Sequence, residues 1–114
     1  MKVQRFQMGT RMSQAVKASG IVALSGQVSD IGGDITRQAE DIFAKIDTLL
    51  QAAGTDKSKL LSATIWLSDM AYYDQFNSVW DNWIDPFNPP ARACVQARLV
   101  KAEWVVEVQV LALA

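Results

Sequence analysis

The chain has 114 residues, half of them hydrophobic and 20% charged, with a net charge of −1. That is the profile of one globular domain spanning residues 1–114, with a single core, and not of a disordered chain. Scattered basic residues argue against a nucleic-acid partner, and no apolar run approaches a membrane span. The chain has no His and one Cys, which removes Ser-His-Asp and Cys-His catalysis, most zinc sites and any internal disulfide. With no hydrophobic leader at the N-terminus, the expected location is the cytoplasm.

Taken in order, residues 3–8 predict a short strand. Residues 13–17 and 21–28 predict two more, flanking the hairpin signal Ala18-Ser19-Gly20. The second of these is nearly continuously apolar and is expected in the middle of a sheet. Gly26 inside it predicts a bulge or the close approach of another group to the backbone. Asp34 caps a helix running to Ala53, whose stripe Ile35, Ala39, Ile42, Phe43, Ile46, Leu49, Leu50 is the core face, and Gly54 stops it. Gly32-Gly33 lacks the Lys-Ser/Thr of a phosphate loop and reads as a turn. A short helical turn is possible over residues 55–59.

Residues 60–67 alternate as a strand, with Ala63, Ile65 and Leu67 on one face. Ser68-Asp69-Met70 opens a second helix to Ile84, with Tyr73, Phe76, Val79 or Trp80, and Trp83 turned inward. Three prolines within residues 86–90 end it. Residues 92–98 and 104–110 alternate again. Ala93, Val95, Ala97 and Leu99 form the apolar face of the first, and Val106, Val108 and Val110, opposite Val105, Glu107 and Gln109, form that of the second. A hairpin through Val100-Lys101-Ala102 is expected to join them. An even loop would place Arg92 and Glu107 on one side of the sheet, with Arg98 and Glu103 near the tip. Such a pair can bind an acid and move water, or can be a plain salt bridge. The predicted fold is α+β in the order β-β-β-α-β-α-β-β, a sheet with two helices on one face. The other face, expected to carry Val105, Trp66 and Cys94, is an apolar patch suited to contact with further subunits.

Six collinear segments carry a family resemblance. They are Ser25-Gly26-Gln27, Ala52-Ala53-Gly54, Leu67-Ser68-Asp69-Met70, Phe76-Asn77-Ser78-Val79-Trp80, Pro90-Ala91-Arg92-Ala93-Cys94-Val95 and Val106-Glu107-Val108-Gln109-Val110. Together they resemble the RidA/YjgF family. The resemblance implies a mixed sheet similar to chorismate mutase of the bacillary type, assembled as a homotrimer with a cleft between subunits. It also implies hydrolysis of reactive 2-imino and enamino acids to 2-oxo acids and ammonia, without cofactor or metal. By position, Arg92 binds the substrate carboxylate and Glu107 positions water. Ser25 and Cys94 line the pocket, and amides near Ala93 and Cys94 face the adduct. Met12 stands where the founding branch has a pocket tyrosine. That substitution, together with Trp80-Asp81-Asn82-Trp83, looks more like the YoaB-like branch. The alternative expectation is a non-catalytic protein that binds or senses 2-oxo acids. A ribonuclease or translation-inhibitor role attached to the family ranks last, for want of a basic surface and of His.

Overall fold

An antiparallel set of strands and a β-α-β crossover share one six-stranded sheet, in the order β1-β2-β3-β6-β4-β5. The computed structural model describes residues 2–114. The strands are β1 (Gln4–Met8), β2 (Ser13–Ala18), β3 (Ile21–Leu24), β4 (Leu60–Leu67), β5 (Ala91–Gln96) and β6 (Val106–Leu113). Helix α1 (Ile35–Ala52) follows β3, and helix α2 (Tyr73–Trp83) lies between β4 and β5. Single 3-10 turns at Lys57–Lys59 and Met70–Tyr72 precede β4 and α2. The predicted element order holds, and the extended segment 21–28 is a strand only to Leu24, after which one bridge joins Gln27 to Val108.

Local chemistry explains most of the boundaries. The β2–β3 turn needs positive φ at two successive residues, and Ser19 and Gly20 supply 52° and 81°. The Asp34 carboxylate accepts the Arg37 N–H at 2.9 Å, which satisfies one of the free donors at the start of α1. At its end Gly54 turns left-handed, so that Gly54 N–H reaches Gln51 O and Thr55 N–H reaches Leu50 O. Asp69 caps the turn before α2 through the Ala71 N–H.

The helices lie on one side of the sheet and meet it through Val22, Leu24, Ala63, Ile65, Leu67, Val106, Val108 and Val110, all buried. An aromatic cluster joins the two helices. Phe43 stacks on Trp83 with centroids 4.3 Å apart, Trp80 meets Phe43 edge-on, and Phe76 is fully buried beside them. Burying one such ring is worth roughly 1.5–3 kcal/mol. Of the two candidates for the inward position, Trp80 is buried and Val79 half-buried.

The expected hairpin between the last two strands does not exist. β5 pairs in parallel with β4, and β6 pairs antiparallel with both β4 and β3, so β4 separates them. The connection β4-α2-β5 crosses over a helix, and such a crossover returns the chain parallel to the strand it left. The Val-rich β6, buried along one whole face, takes a central position, whereas the short, largely exposed β5 forms an edge.

On the uncovered face Val95, Trp66 and Glu107 form one cross-strand row, and Ala93, Thr64 and Gln109 the next. Ile21, Leu111, Leu113 and Val95 are exposed there, between 37% and 49%. Cys94 was expected on this face; it lies on the helix side instead, because it pairs with buried Ile65. Val105, also expected there, is partly buried against the core just before β6. No helix among the described residues is long and apolar enough to cross a membrane.

Candidate functional site

Glu107 stands on the uncovered face of central strand β6, beside Trp66. The segment Ser25–Gln27 is held next to it by backbone bonds on both sides. Ser25 N–H donates to Gln14 O, while Gln27 and Val108 exchange bonds of 2.8 and 3.1 Å. This places Gly26 directly under the Glu107 carboxylate. A Cβ at position 26 would run into Glu107 Oε2 and lie 3.0 Å from its Cδ. The close approach predicted from Gly26 is therefore that of a carboxylate. Burial, with no cation beside it among the described residues, pushes the Glu107 carboxyl above its ordinary range.

Two other predicted residues, Ser25 and Met12, lie near Gly26. Ser25 Oγ donates to Ser13 O at 2.6 Å, which commits its proton within the chain. Met12 and Gly26 help to line a hollow of about 510 Å³ with Gln14, Gln27, Lys45 and Thr48. Gln27 Nε2 donates to Gln14 Oε1 and to Ser25 O, both at 3.0 Å, and stiffens its wall.

Arg92 occupies a different setting. It lies on edge strand β5 opposite Ala63, with its side chain turned to α2. Nη1 donates to Asn77 Oδ1 at 2.8 Å and Nη2 to Tyr73 Oη at 3.2 Å. The guanidinium carbon sits 5.0 Å from the Trp80 ring centroid and 5.9 Å from that of Tyr73. All these partners are neutral, and among the described residues the ion pair present is Lys45 with Asp30. The guanidinium is thus oriented yet keeps its full charge for an anion. Cys94, on the same side of β5, has its thiol pushed up by burial, an effect that Arg92 partly opposes. A thiol held protonated packs; it does not attack.

Arg92 and Glu107 do not share a face. Arg92 registers with Ala63 and Glu107 with Trp66, three positions apart on β4, and an odd separation puts side chains on opposite sides of a sheet. Within one chain the expected convergence fails, and so does the plain salt bridge. Ala93 is exposed on the uncovered side, beside Thr64. The structure therefore presents two half-sites: a positioned cation with Cys94 on the β5 edge, and a half-buried carboxylate packed on Gly26 beside Ser25, with Met12 lining the hollow between Gly26 and α1.

Asn77 and Tyr73 were not singled out as site residues from the sequence. Both lie on the face of α2 that carries Phe76 and Trp80. An Asn among those inward aromatics was the available signal, since a polar side chain on an apolar stripe needs a partner. No group of three or more His, Cys, Asp or Glu residues placed to hold a metal ion is found among the described residues.

Comparison with known proteins places this geometry among relatives. The sequence model of the family described as Endoribonuclease L-PSP matches residues 3–114. A RutC family protein from Haemophilus ducreyi is 37% identical over 111 residues, covering 96% of this chain and 95% of that protein. The RutC family protein YoaB from Escherichia coli is 30% identical over 112 residues, covering 98% of each. The crystal structure of a YjgF family member from Neisseria meningitidis superposes with a TM-score of 0.97 at 42% identity, covering 99% of this chain and 95% of that one.

Proposed function

Since this chain belongs to the RidA/YjgF family, with YoaB among its relatives, we propose that it hydrolyses 2-imino and enamino acids to 2-oxo acids and ammonia in clefts between the subunits of a homotrimer. The observation that carries this reading is the complementary incompleteness of the two half-sites. A charged guanidinium with only neutral partners lies at a strand edge, and a half-buried carboxylate with no cation among the described residues lies on the opposite face. The exposed apolar row beside that carboxylate is a surface suited to a second copy of the chain. Apposing the β5 edge of one subunit to the Gly26–Glu107 side of the next would put one charge on each side of a shared cleft. The assembly would then resemble that of chorismate mutase of the bacillary type.

In that cleft Arg92 grips the substrate carboxylate through two parallel hydrogen bonds and fixes the adjacent C=N carbon. Glu107 takes a proton from water as its oxygen bonds to that carbon. Glu107 returns that proton to nitrogen, giving a carbinolamine. It then carries the hydroxyl proton to the same nitrogen as the C=O forms, so that the C–N bond breaks, ammonia departs and the 2-oxo acid remains. An enamino acid first takes up a proton at its β-carbon and loses one from nitrogen to reach the imine. A carboxyl group whose affinity for protons is raised by burial is the better base for this exchange. Cys94, Ser25 and Met12 contribute walls, and amides of the β5 edge near Ala93 and Cys94 can donate to the developing adduct. Met12 is a flexible apolar wall, so substrate side-chain preference is expected to differ from that of tyrosine-bearing relatives.

The test is subunit complementation. Imine is generated in situ from an amino acid by a lyase, and ammonia release is followed. Arg92→Ala and Glu107→Gln proteins should each be inactive alone. Unfolded together and refolded as a mixture, they should regain activity, since some clefts would combine an intact Arg92 with an intact Glu107. Failure of complementation by folded mixed trimers rules out a cleft shared between subunits. Wild-type protein that binds 2-oxo acids without accelerating ammonia release is a binding protein and not a deaminase.

A further inference from the structure

A second hollow, of about 710 Å³, lies under the loop of residues 97–105 that leads from β5 to β6. Its size falls within the range of about 300–1,000 Å³ usual for small-molecule sites. Ser68, Gln96, Arg98, Lys101 and Trp104 supply its polar and aromatic walls, and no acidic residue lines it. Neither half-site contributes to it. Arg98 and Lys101 are exposed and form no ion pair among the described residues, and Lys101 Nζ stands 5.1 Å from the Trp104 ring centroid. Met70 N–H donates to Gln96 Oε1 at 2.9 Å, which fixes the amide and leaves its NH2 as a further donor.

The loop is built to hold this shape. Ala97 N–H reaches Leu67 O, Ser68 N–H reaches Val105 O, and Trp104 N–H closes a turn on Lys101 O. Gln38, fully buried in α1, donates to Gly33 O and Glu103 O and accepts the Val105 N–H. A buried amide is costly unless every group is paired, and here the pairing anchors the loop. A loop fixed before binding loses little freedom on capturing a ligand.

We propose that this hollow binds a small phosphate monoester carrying a planar ring, with the phosphate held by Arg98 and Lys101 and the ring on the face of Trp104 away from Lys101. A phosphate monoester carries nearly two negative charges at neutral pH and so matches both cations, whereas a carboxylate would leave one unmatched. The guanidinium fork fits phosphate oxygens, and a planar ring can stack on an aromatic side chain. The site differs in chemistry from the carboxylate-binding Arg92 and does not depend on the deaminase reading.

Adenosine monophosphate serves as the probe, titrated calorimetrically into the full-length protein in its native assembly. Saturable binding is expected, weakened at least tenfold by Arg98→Ala, several-fold by Lys101→Ala and progressively by added salt. Adenosine and inorganic phosphate should each bind at least tenfold more weakly, and Arg92→Ala should bind as the wild type does. In the wild-type protein, backbone amide NMR shifts should concentrate at residues 96–104. Absence of binding at millimolar adenosine monophosphate, unchanged binding in Arg98→Ala, loss of binding in Arg92→Ala, or amide shifts elsewhere would each overturn the site.

Discussion

Arg92 and Glu107 are treated in opposite ways by the same fold. The guanidinium is held by two hydrogen bonds and two aromatic faces, whereas the carboxylate is placed by packing against a glycine and receives no cation. The difference follows from their acid–base chemistry. A guanidinium stays charged in any protein setting, so neutral partners suffice to orient it. A carboxylate moved out of water answers by holding its proton more tightly. One half-site thus offers an oriented guanidinium with neutral partners, and the other a carboxylate whose proton affinity burial has raised.

Breaking the base should have the largest effect. Glu107→Gln is expected to lower turnover by about 10²–10⁴-fold while 2-oxo acid binding persists, measured by ammonia release and calorimetry. Breaking the receptor acts on binding. Arg92→Ala should weaken 2-oxo acid affinity at least tenfold, Arg92→Lys should not restore it, and sedimentation should show the assembly unchanged.

The seat of the carboxylate can be disturbed with one methyl group. Gly26→Ala must push Glu107 aside, and a displacement of about 1 Å can cost up to 10²-fold in rate. The melting temperature should fall by only a few degrees, as read by circular dichroism.

The proton affinity of Glu107 sharpens the contrast further. Its raised folded value means that the protonated form is favoured by folding. The stability so gained is present at low pH and is lost as pH rises from the unfolded-state value through the folded one. Activity should run the other way, falling at acid pH as Glu107 takes up its proton, because the base must be unprotonated. Carbon-13 titration of the Glu107 carboxyl checks this. If the partner's guanidinium faces it, Arg92→Ala should raise the titration point, and no movement would argue against a shared cleft. The smallest expected change comes from the orienting pair. Asn77→Ala or Tyr73→Phe should remove about 1 kcal/mol of Arg92 positioning, appearing as a severalfold rise in KM with kcat nearly kept.

Much of this was legible in the chain. Asp34 before an apolar stripe and Gly54 after it delimited α1, and Ser19-Gly20 marked the tight turn. Gly26 within an apolar run signalled a close approach, since only a missing Cβ leaves such room. Alternation correctly sorted Val106, Val108 and Val110 from Glu107 and Gln109. It failed for β5, where Ala93 and Val95 looked like the core face and are exposed, while Arg92 and Cys94 point toward the helices. Small apolar residues on an edge strand carry too little burial to mark a face.

The sequence by itself determined the kinds and order of the elements, their caps and turns, and the residue types able to grip an acid or move a proton. These depend on local forces: backbone sterics, capping bonds and hydrophobic period. Which strand lies beside which was decided only in three dimensions, where β4 came between β5 and β6. A side chain's face depends on the parity of its register with a neighbour, and that register is a long-range choice made by packing. Hence the two groups that seemed to meet within one chain stand on opposite sides of its sheet.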